Sequence, residues 1–268
     1  MLSIHIKPNE FQKFQKLLYD KVGIELKKNK TTLMESRLQR RIRHLNLKNF
    51  MDYYTIVNSD KNELQEMINL MTTNETSFFR ENKHFDFLQR NLFPKRKEPL
   101  RIWSAASSIG VEAYTLAMIA DEMLSPRNVR FDIFASDINL EVLDKAKQGV
   151  YDMRFAEQIP KQYLKNYCFK GVKEMQGKFM IGDKLKSKVS FSQINLTRTV
   201  DRSIGEFDII FLRNVLIYFD ISTKQKVVKN VLARLKKGGY FFIGHSESLF
   251  NISDEVVQVM PTVYQKQL

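Results

Sequence analysis

From residue 100 onward, short apolar runs alternate with longer amphipathic segments, and this rhythm constrains the fold more than any other feature. The runs at 100–103, 131–135, 207–212 and 239–243 read as buried strands, and 256–264 is strand-like too. The segments at 112–122, 140–147 and 224–235 read as helices. A strand that returns parallel to its predecessor needs a crossover of about a dozen residues, usually a helix, so the alternation predicts an open parallel sheet.

Two stretches break the rhythm. Residues 8–71 show apolar residues at spacings of three and four with no run of alternation, which predicts four short helices. In the second, Met34, Leu38, Ile42 and Leu45 form an apolar stripe, while Arg37, Arg40, Arg41 and His44 fall on another face. That cationic face reads either as solvated or as a docking surface for something acidic. Residues 160–190 hold eight lysines and the glycines 171, 177 and 182, which predicts a small antiparallel excursion mounted on the sheet. The polar stretch Thr73 to Arg80, running into two aromatics, reads as a linker between helical and sheet parts.

A formal charge of +13 favours polyanions or acidic protein surfaces without choosing among them. No apolar run approaches the roughly 18 residues that would span a bilayer, and residues 1–16 lack a secretory signal pattern. The single cysteine, Cys168, forms neither an internal disulfide nor a multi-cysteine metal site. The expectation is a soluble, cytoplasmic protein.

In an open parallel sheet, ligands bind beyond the carboxyl ends of the strands, which singles out three loops. The first, Ser104 to Gly110, has small side chains that let a ligand approach the backbone, but lacks the spacing of a dinucleotide fingerprint. The second places Asp137 after a strand, suited either to accept both hydroxyls of a ribose or to cap the following helix. The third brings Arg213, Asn214 and Tyr218 out of a buried strand, without the Pro-Pro-aromatic pattern of nucleobase amino-methyltransferases. No nucleophile elbow or HExxH spacing is present, and His245 reads as a turn residue or a catalytic one.

Five stretches together, covering nearly the whole chain, carry a family resemblance: 72–80 (TTNETSFFR), 103–114 (WSAASSIGVEAY), 134–137 (FASD), 213–220 (RNVLIYFD) and 244–247 (GHSE). They resemble the CheR-type chemotaxis receptor glutamate methyltransferases, which use S-adenosylmethionine. The resemblance implies an α/β class I methyltransferase (Rossmann-like) seven-stranded sheet with a small antiparallel β subdomain at about 160–190, preceded by an all-α N-terminal domain. The expected division is 1–72 helical, 73–81 a linker contributing to the cofactor site, and 82–268 the methyltransferase domain. By the same resemblance, Asn74, Thr76, Arg80, Glu112, Asp137, Asn195, Leu196, Arg213 and Asn214 surround the S-adenosylmethionine, Arg80 and Tyr218 border the reacting atoms, and no metal takes part. Arg37, Arg40 and Arg41 are the expected contacts to the cytoplasmic helical bundle of a receptor. A receptor C-terminal peptide at the β subdomain is a further partner; nucleic acid and membrane insertion are not expected. The chain departs from the family pattern at Ile109, Val111 and Ala113, and has Lys173 where a second glycine after Gly171 is expected. Two rivals remain: an RNA methyltransferase, and a module that binds the cofactor without transferring methyl groups.

Overall fold

The computed structural model describes residues 5–267. The chain opens with α1 (Pro8–Val22), α2 (Thr31–His44), α3 (Phe50–Ser59) and α4 (Lys61–Met71). Their apolar stripes close on one another: Phe14, Leu18, Met34, Leu38, Ile42, Phe50, Tyr53 and Met67 are all fully buried in one cluster. Local signals set the boundaries. Gly23 ends α1 in the left-handed conformation, and the side chains of Asn49 and Asp60 accept from the backbone N–H of Asp52 and Asn62 to start α3 and α4.

After the irregular stretch 72–82, α5 (Lys83–Phe87) leads into β1 (Leu100–Ser104), α6 (Val111–Leu124), β2 (Phe131–Asp137) and α7 (Leu140–Gln148). Next come β3 (Val150–Asp152), α8 (Lys161–Tyr167), β4 (Cys168–Lys170), β5 (Lys178–Ile181), α9 (Asp183–Lys186) and β6 (Val189–Gln193). The chain closes with β7 (Phe207–Leu212), α10 (Ile221–Leu232), β8 (Leu235–Ile243), β9 (Val256–Met260) and β10 (Val263–Lys266).

Seven strands form one sheet in the order β6-β2-β1-β7-β8-β10-β9, parallel except where β10 inserts antiparallel between β8 and β9. The central strands are buried on both faces, as continuous apolar runs require. Ile102, Ile209, Phe211 and Phe242 pack toward α6, whereas Trp103, Ile210, Phe241 and Ile243 pack toward α10. The order of strands reverses between β1 and β7, the place where open sheets form their clefts.

The structure departs from the sequence reading in three places. The stretch 256–264 is two strands turned at Pro261 and Thr262, with Thr262 in the left-handed region. The segment expected as a helix to 235 ends at Leu232, and Leu235 already begins β8. The small sheet, ordered β3-β5-β4, takes its first strand from 150–152, ahead of the lysine-rich stretch. Lys173, at the position where the resemblance leads one to expect a second glycine, adopts φ 53°, which a glycine would take without strain.

Candidate active site

The stretch 72–82 crosses the carboxyl ends of the strands as a strap, and neighbouring elements hold it along its length. From α2, Arg37 donates to the carbonyls of Met71 (2.7 Å) and Thr72 (3.1 Å) and to Thr73 Oγ1 (3.0 Å). The Ser108 hydroxyl donates to the Asn74 carbonyl (3.1 Å), and the N–H groups of Phe78 and Phe79 find Gln158 Oε1 and Thr115 Oγ1. Phe78 anchors the strap among Tyr151, Phe155 and Phe179. Phe79 and Glu81 both take positive φ, strain that the surrounding contacts must hold in place.

Beneath the strap, the turn after β1 brings backbone close to backbone. Gly110 has φ +85°, and a Cβ there would lie 2.8 Å from that of Ala146, so only glycine fits. Ser108, also left-handed, donates its N–H to Asp137 Oδ2 (2.8 Å), and the Asn139 N–H donates to Oδ1 (3.0 Å). Asn139, rather than Asp137, caps α7 by accepting from the N–H of Val142. Asp137 is thereby released from the simpler of its two roles. Burial raises its pKa above the ordinary aspartate value, against the pull of the backbone N–H groups.

At the end of β7, the Arg213 side chain is 2% exposed and donates to Glu81 Oε2 (2.9 Å), Glu112 Oε2 (3.1 Å) and the Arg80 carbonyl (2.6 Å). Glu81 also accepts from Asn214 Nδ2 and from the His245 N–H, both at 3.2 Å. Burial opposes its ionisation, but the Arg213 charge and these donors prevail and hold its pKa below the ordinary value. Glu112 shifts the other way: burial raises it, with Arg213 and the Ser104 hydroxyl only partly offsetting. Glu247 receives the N–H groups of Gly244 (2.6 Å), Leu216 (2.7 Å) and Asn214 (2.9 Å) and so fixes the turn after β7 from below. A Cβ on Gly244 would lie 2.5 Å from Asn214 Nδ2, which is why glycine stands there.

These elements enclose a cavity of about 600 Å³. Asn74, Thr76, Arg80, Glu112, Asp137, Asn195, Leu196, Arg213, Asn214 and Tyr218 all line it, as does Arg37. Several of these side chains are engaged within the protein itself. Asn195 donates to the Lys21 carbonyl (2.8 Å) and accepts from Thr197, tying the end of α1 to the sheet. Arg213 spends its guanidinium on the carboxylates of Glu81 and Glu112, so it braces the wall.

The trio Arg37, Arg40 and Arg41 does not form one open basic face, which corrects the sequence expectation. Arg41 makes a two-pronged pair with buried Glu63 (2.9 and 2.7 Å), Arg37 turns to the strap, and Arg40 alone of the three is exposed. The reason is packing: α4 lies against that flank of α2 and supplies both Glu63 and the carbonyls at its own end.

The residue reading missed Glu81 and Glu247 as braces, although Glu247 stands in the 244–247 stretch and Glu81 directly follows Arg80. It also missed the buried His84. Thr262 donates its hydroxyl to the Pro261 carbonyl (2.6 Å), so His84 Nε2 donates to Thr262 Oγ1 (2.7 Å), and Nδ1, 3.7 Å from Glu81 Oε2, carries no proton and has no hydrogen-bond partner among the described residues. Burial first, and Arg213 second, depress its pKa to about 3. Glu81, His84 and His245 bring ligand-type atoms within 4.8 Å of one another. Since Glu81 is already engaged by Arg213, Asn214 and the His245 N–H, the chemistry of that trio is a brace.

The cavity's chemistry fits S-adenosylmethionine. Ser107 lines it, and its buried Oγ has no hydrogen-bond partner among the described residues. Asp137 stands at the end of β2, beside β1, with Oδ2 accepting from the Ser108 N–H and Oδ1 from the Asn139 N–H. The sheet order, the acid after β2 and the strap suit a nucleoside cofactor of this kind.

Comparison with known proteins carries this further. Residues 74–265 match the family model described as CheR methyltransferase, SAM binding domain, and residues 9–72 match CheR methyltransferase, all-alpha domain. Chemotaxis protein methyltransferase 2 of Pseudomonas aeruginosa is 41% identical over 264 residues, covering 97% of this chain and 94% of that protein. The chemotaxis protein methyltransferase of Borreliella burgdorferi is 37% identical, covering 99% and 96%, and that of Escherichia coli 36%, covering 95% and 89%. Among solved structures, TrmN from Thermus thermophilus overlaps 64% of this chain and 45% of its own at 16% identity with a TM-score of 0.38. The chain belongs to the CheR methyltransferase family.

Proposed function

We propose that this protein transfers the methyl group of S-adenosylmethionine to glutamate side chains of chemotaxis receptors in the cytoplasm, forming methyl esters. The observation that carries the reading is that Asp137, Arg80 and Tyr218, drawn from three separate stretches of sequence, line one cavity at the carboxyl ends of the strands. No helix among the described residues is long and apolar enough to cross a membrane, which suits work on the cytoplasmic part of a receptor.

When bound, S-adenosylmethionine supplies a methyl group made electrophilic by its positive sulfur. Asp137 is suited to hold the ribose, with Ser107 and the Asn74–Thr76 strap as further contacts. The acceptor carboxylate is ionised at neutral pH, since glutamate titrates near 4.3, so the chain need supply no general base. Charge disperses as anion meets cation, and a dry, aligned site favours that step more than added counter-charge does. Arg80, partly spent on the Glu75 carbonyl (3.2 Å), and Tyr218 on the turn after β7 are assigned to orient the carboxylate. Alignment of this kind is worth on the order of 7 to 11 kcal/mol, which is enough for an enzyme without an acid–base pair.

A receptor C-terminal peptide pairing with β4 is the second part of the proposal. Among the described residues β4 pairs only with β5, and Phe169, 60% exposed, stands on it between lysine-rich flanks.

The test is incubation of the purified protein with methyl-labelled S-adenosylmethionine and either a receptor cytoplasmic fragment or total RNA. Label released from the receptor as methanol by alkali is expected. Base-stable label in RNA, or cofactor binding with no ester formed, would overturn the assignment.

A further inference from the structure

The carboxyl groups that line the cavity are those of Glu25, Glu75, Glu112 and Asp137. Two of them are engaged inside the protein: Glu112 pairs with Arg213 and accepts from the Ser104 hydroxyl, and Asp137 accepts from the N–H groups of Ser108 and Asn139. Glu75 is exposed, but it belongs to the strap, between the Asn74 and Thr76 assigned to the cofactor. Glu25 stands apart. It comes from the turn after α1, it is exposed, and among the described residues no hydrogen bond or ion pair holds its carboxylate.

The backbone beneath that free side chain is fixed. The Glu25 N–H donates to the Tyr218 carbonyl (2.9 Å). On one side, left-handed Gly23 lies so close to the sheet part that a Cβ there would be 2.7 Å from the methyl groups of Thr197 and Thr223. On the other, Leu26 is buried among the opening helices. The Tyr19 hydroxyl adds a bond to Asp220 Oδ2 (2.7 Å), so the turn cannot drift from the end of β7. An unengaged glutamate is therefore held one hydrogen bond from the residue assigned to orient the acceptor. Tethered reactants meet at an effective concentration on the order of millimolar or more, with no docking step to precede them.

We infer that Glu25 is itself a methyl acceptor, esterified in cis in the cavity it lines. A carboxylate oxygen of Glu25 attacks the methyl carbon of S-adenosylmethionine in line with sulfur. The S–CH3 bond breaks as the O–CH3 bond forms, its electron pair stays on sulfur, and S-adenosylhomocysteine leaves. No proton moves, so no base is needed. The product is a neutral methyl ester, and a negative charge is lost beside Lys27 and Lys30, which line the same cavity. The inference rests on the proposed function and extends it from a receptor's glutamates to one of the enzyme's own.

The experiment incubates the purified full chain with S-adenosylmethionine alone, over a range of protein concentrations, and follows intact and peptide masses; a parallel incubation contains a receptor cytoplasmic fragment. The expected result is a gain of one methyl group per chain, mapped to the peptide that holds Glu25 and released as methanol by alkali. Its rate constant is expected to be independent of protein concentration. Glu25→Gln is expected to abolish the gain, and Glu25→Asp, which keeps the carboxylate but draws it back by one methylene, to slow it about ten-fold or more. A receptor fragment that is esterified while the Glu25 peptide stays unmodified overturns the inference and leaves the proposed function standing. So does a gain that maps to Glu75, that survives Glu25→Gln, or whose rate constant rises in proportion to protein concentration. Esters on neither the chain nor the fragment overturn the proposed function itself, and this inference with it.

Discussion

The inner wall of the cavity and its outer rim are built on opposite rules. Inside, Arg213, Glu81 and Glu247 are withdrawn from solvent and answered bond for bond, each tying together turns that lie far apart in sequence. At the rim, Lys27, Lys30 and Ile217 are exposed, and among the described residues their side chains join no such network. Buried charge is costly unless paired, so the chain confines it to the place where geometry must be fixed before a ligand arrives. What the rim leaves unsatisfied is what a partner can satisfy. Shape is set within, and choice of partner without.

The comparison breaks most readily at Arg213. Replacing it by alanine leaves Glu81 and Glu112 facing one another without a counter-ion, and a loss of about 3–5 kcal/mol in urea unfolding is expected, with cofactor binding lost as well. A loss under about 1 kcal/mol would mean that the wall is not a brace. Next in size is Asp137→Asn, expected to weaken S-adenosylhomocysteine binding by about 2 kcal/mol in calorimetry while the receptor KM barely moves.

His84 sharpens the contrast through pH. The unfolded chain protonates this residue near 6.5, whereas the folded protein resists until about 3. Between those values the unfolded state holds more protons, so stability falls as pH is lowered through the window and levels off above 6.5. The slope from this residue reaches at most about 1.4 kcal/mol per pH unit, and His84→Gln is expected to flatten it in denaturation series run between pH 4 and 8. The smallest effect belongs to the surface of the small sheet. Lys173→Gly relieves a left-handed lysine and is expected to raise stability by about 1 kcal/mol or less, seen as a small rise in Tm.

Much of this arrangement was legible before any coordinates. The strands β1, β2 and β7 announce themselves as continuous apolar runs because they are buried on both faces, and the loops that follow them had to meet at one end of the sheet. Strand β6 was hidden, since Val189–Gln193 is an edge strand emerging from a lysine-rich stretch and only half of its surface needs to be apolar. The arginines of α2 were misread for a different reason. Helical period fixes which residues share a face, but not what covers that face, and α4 covers this one with Glu63 and its terminal carbonyls. Glu81 was silent because an acid after an arginine looks solvated until a buried guanidinium is found 2.9 Å away.

The grip of Arg37 on the end of α4 bears on how the chain can be divided. Val22, Lys27, Leu33 and Arg37 all belong to the opening helices and their turns, yet they form part of the cavity's boundary. A fragment cut to begin at residue 73 would keep every strand and still lose a wall and the anchor of its strap. The smallest catalytic unit therefore starts at the first helix, and a recombinant exchange of that bundle for a relative's must carry an arginine able to take up the same post.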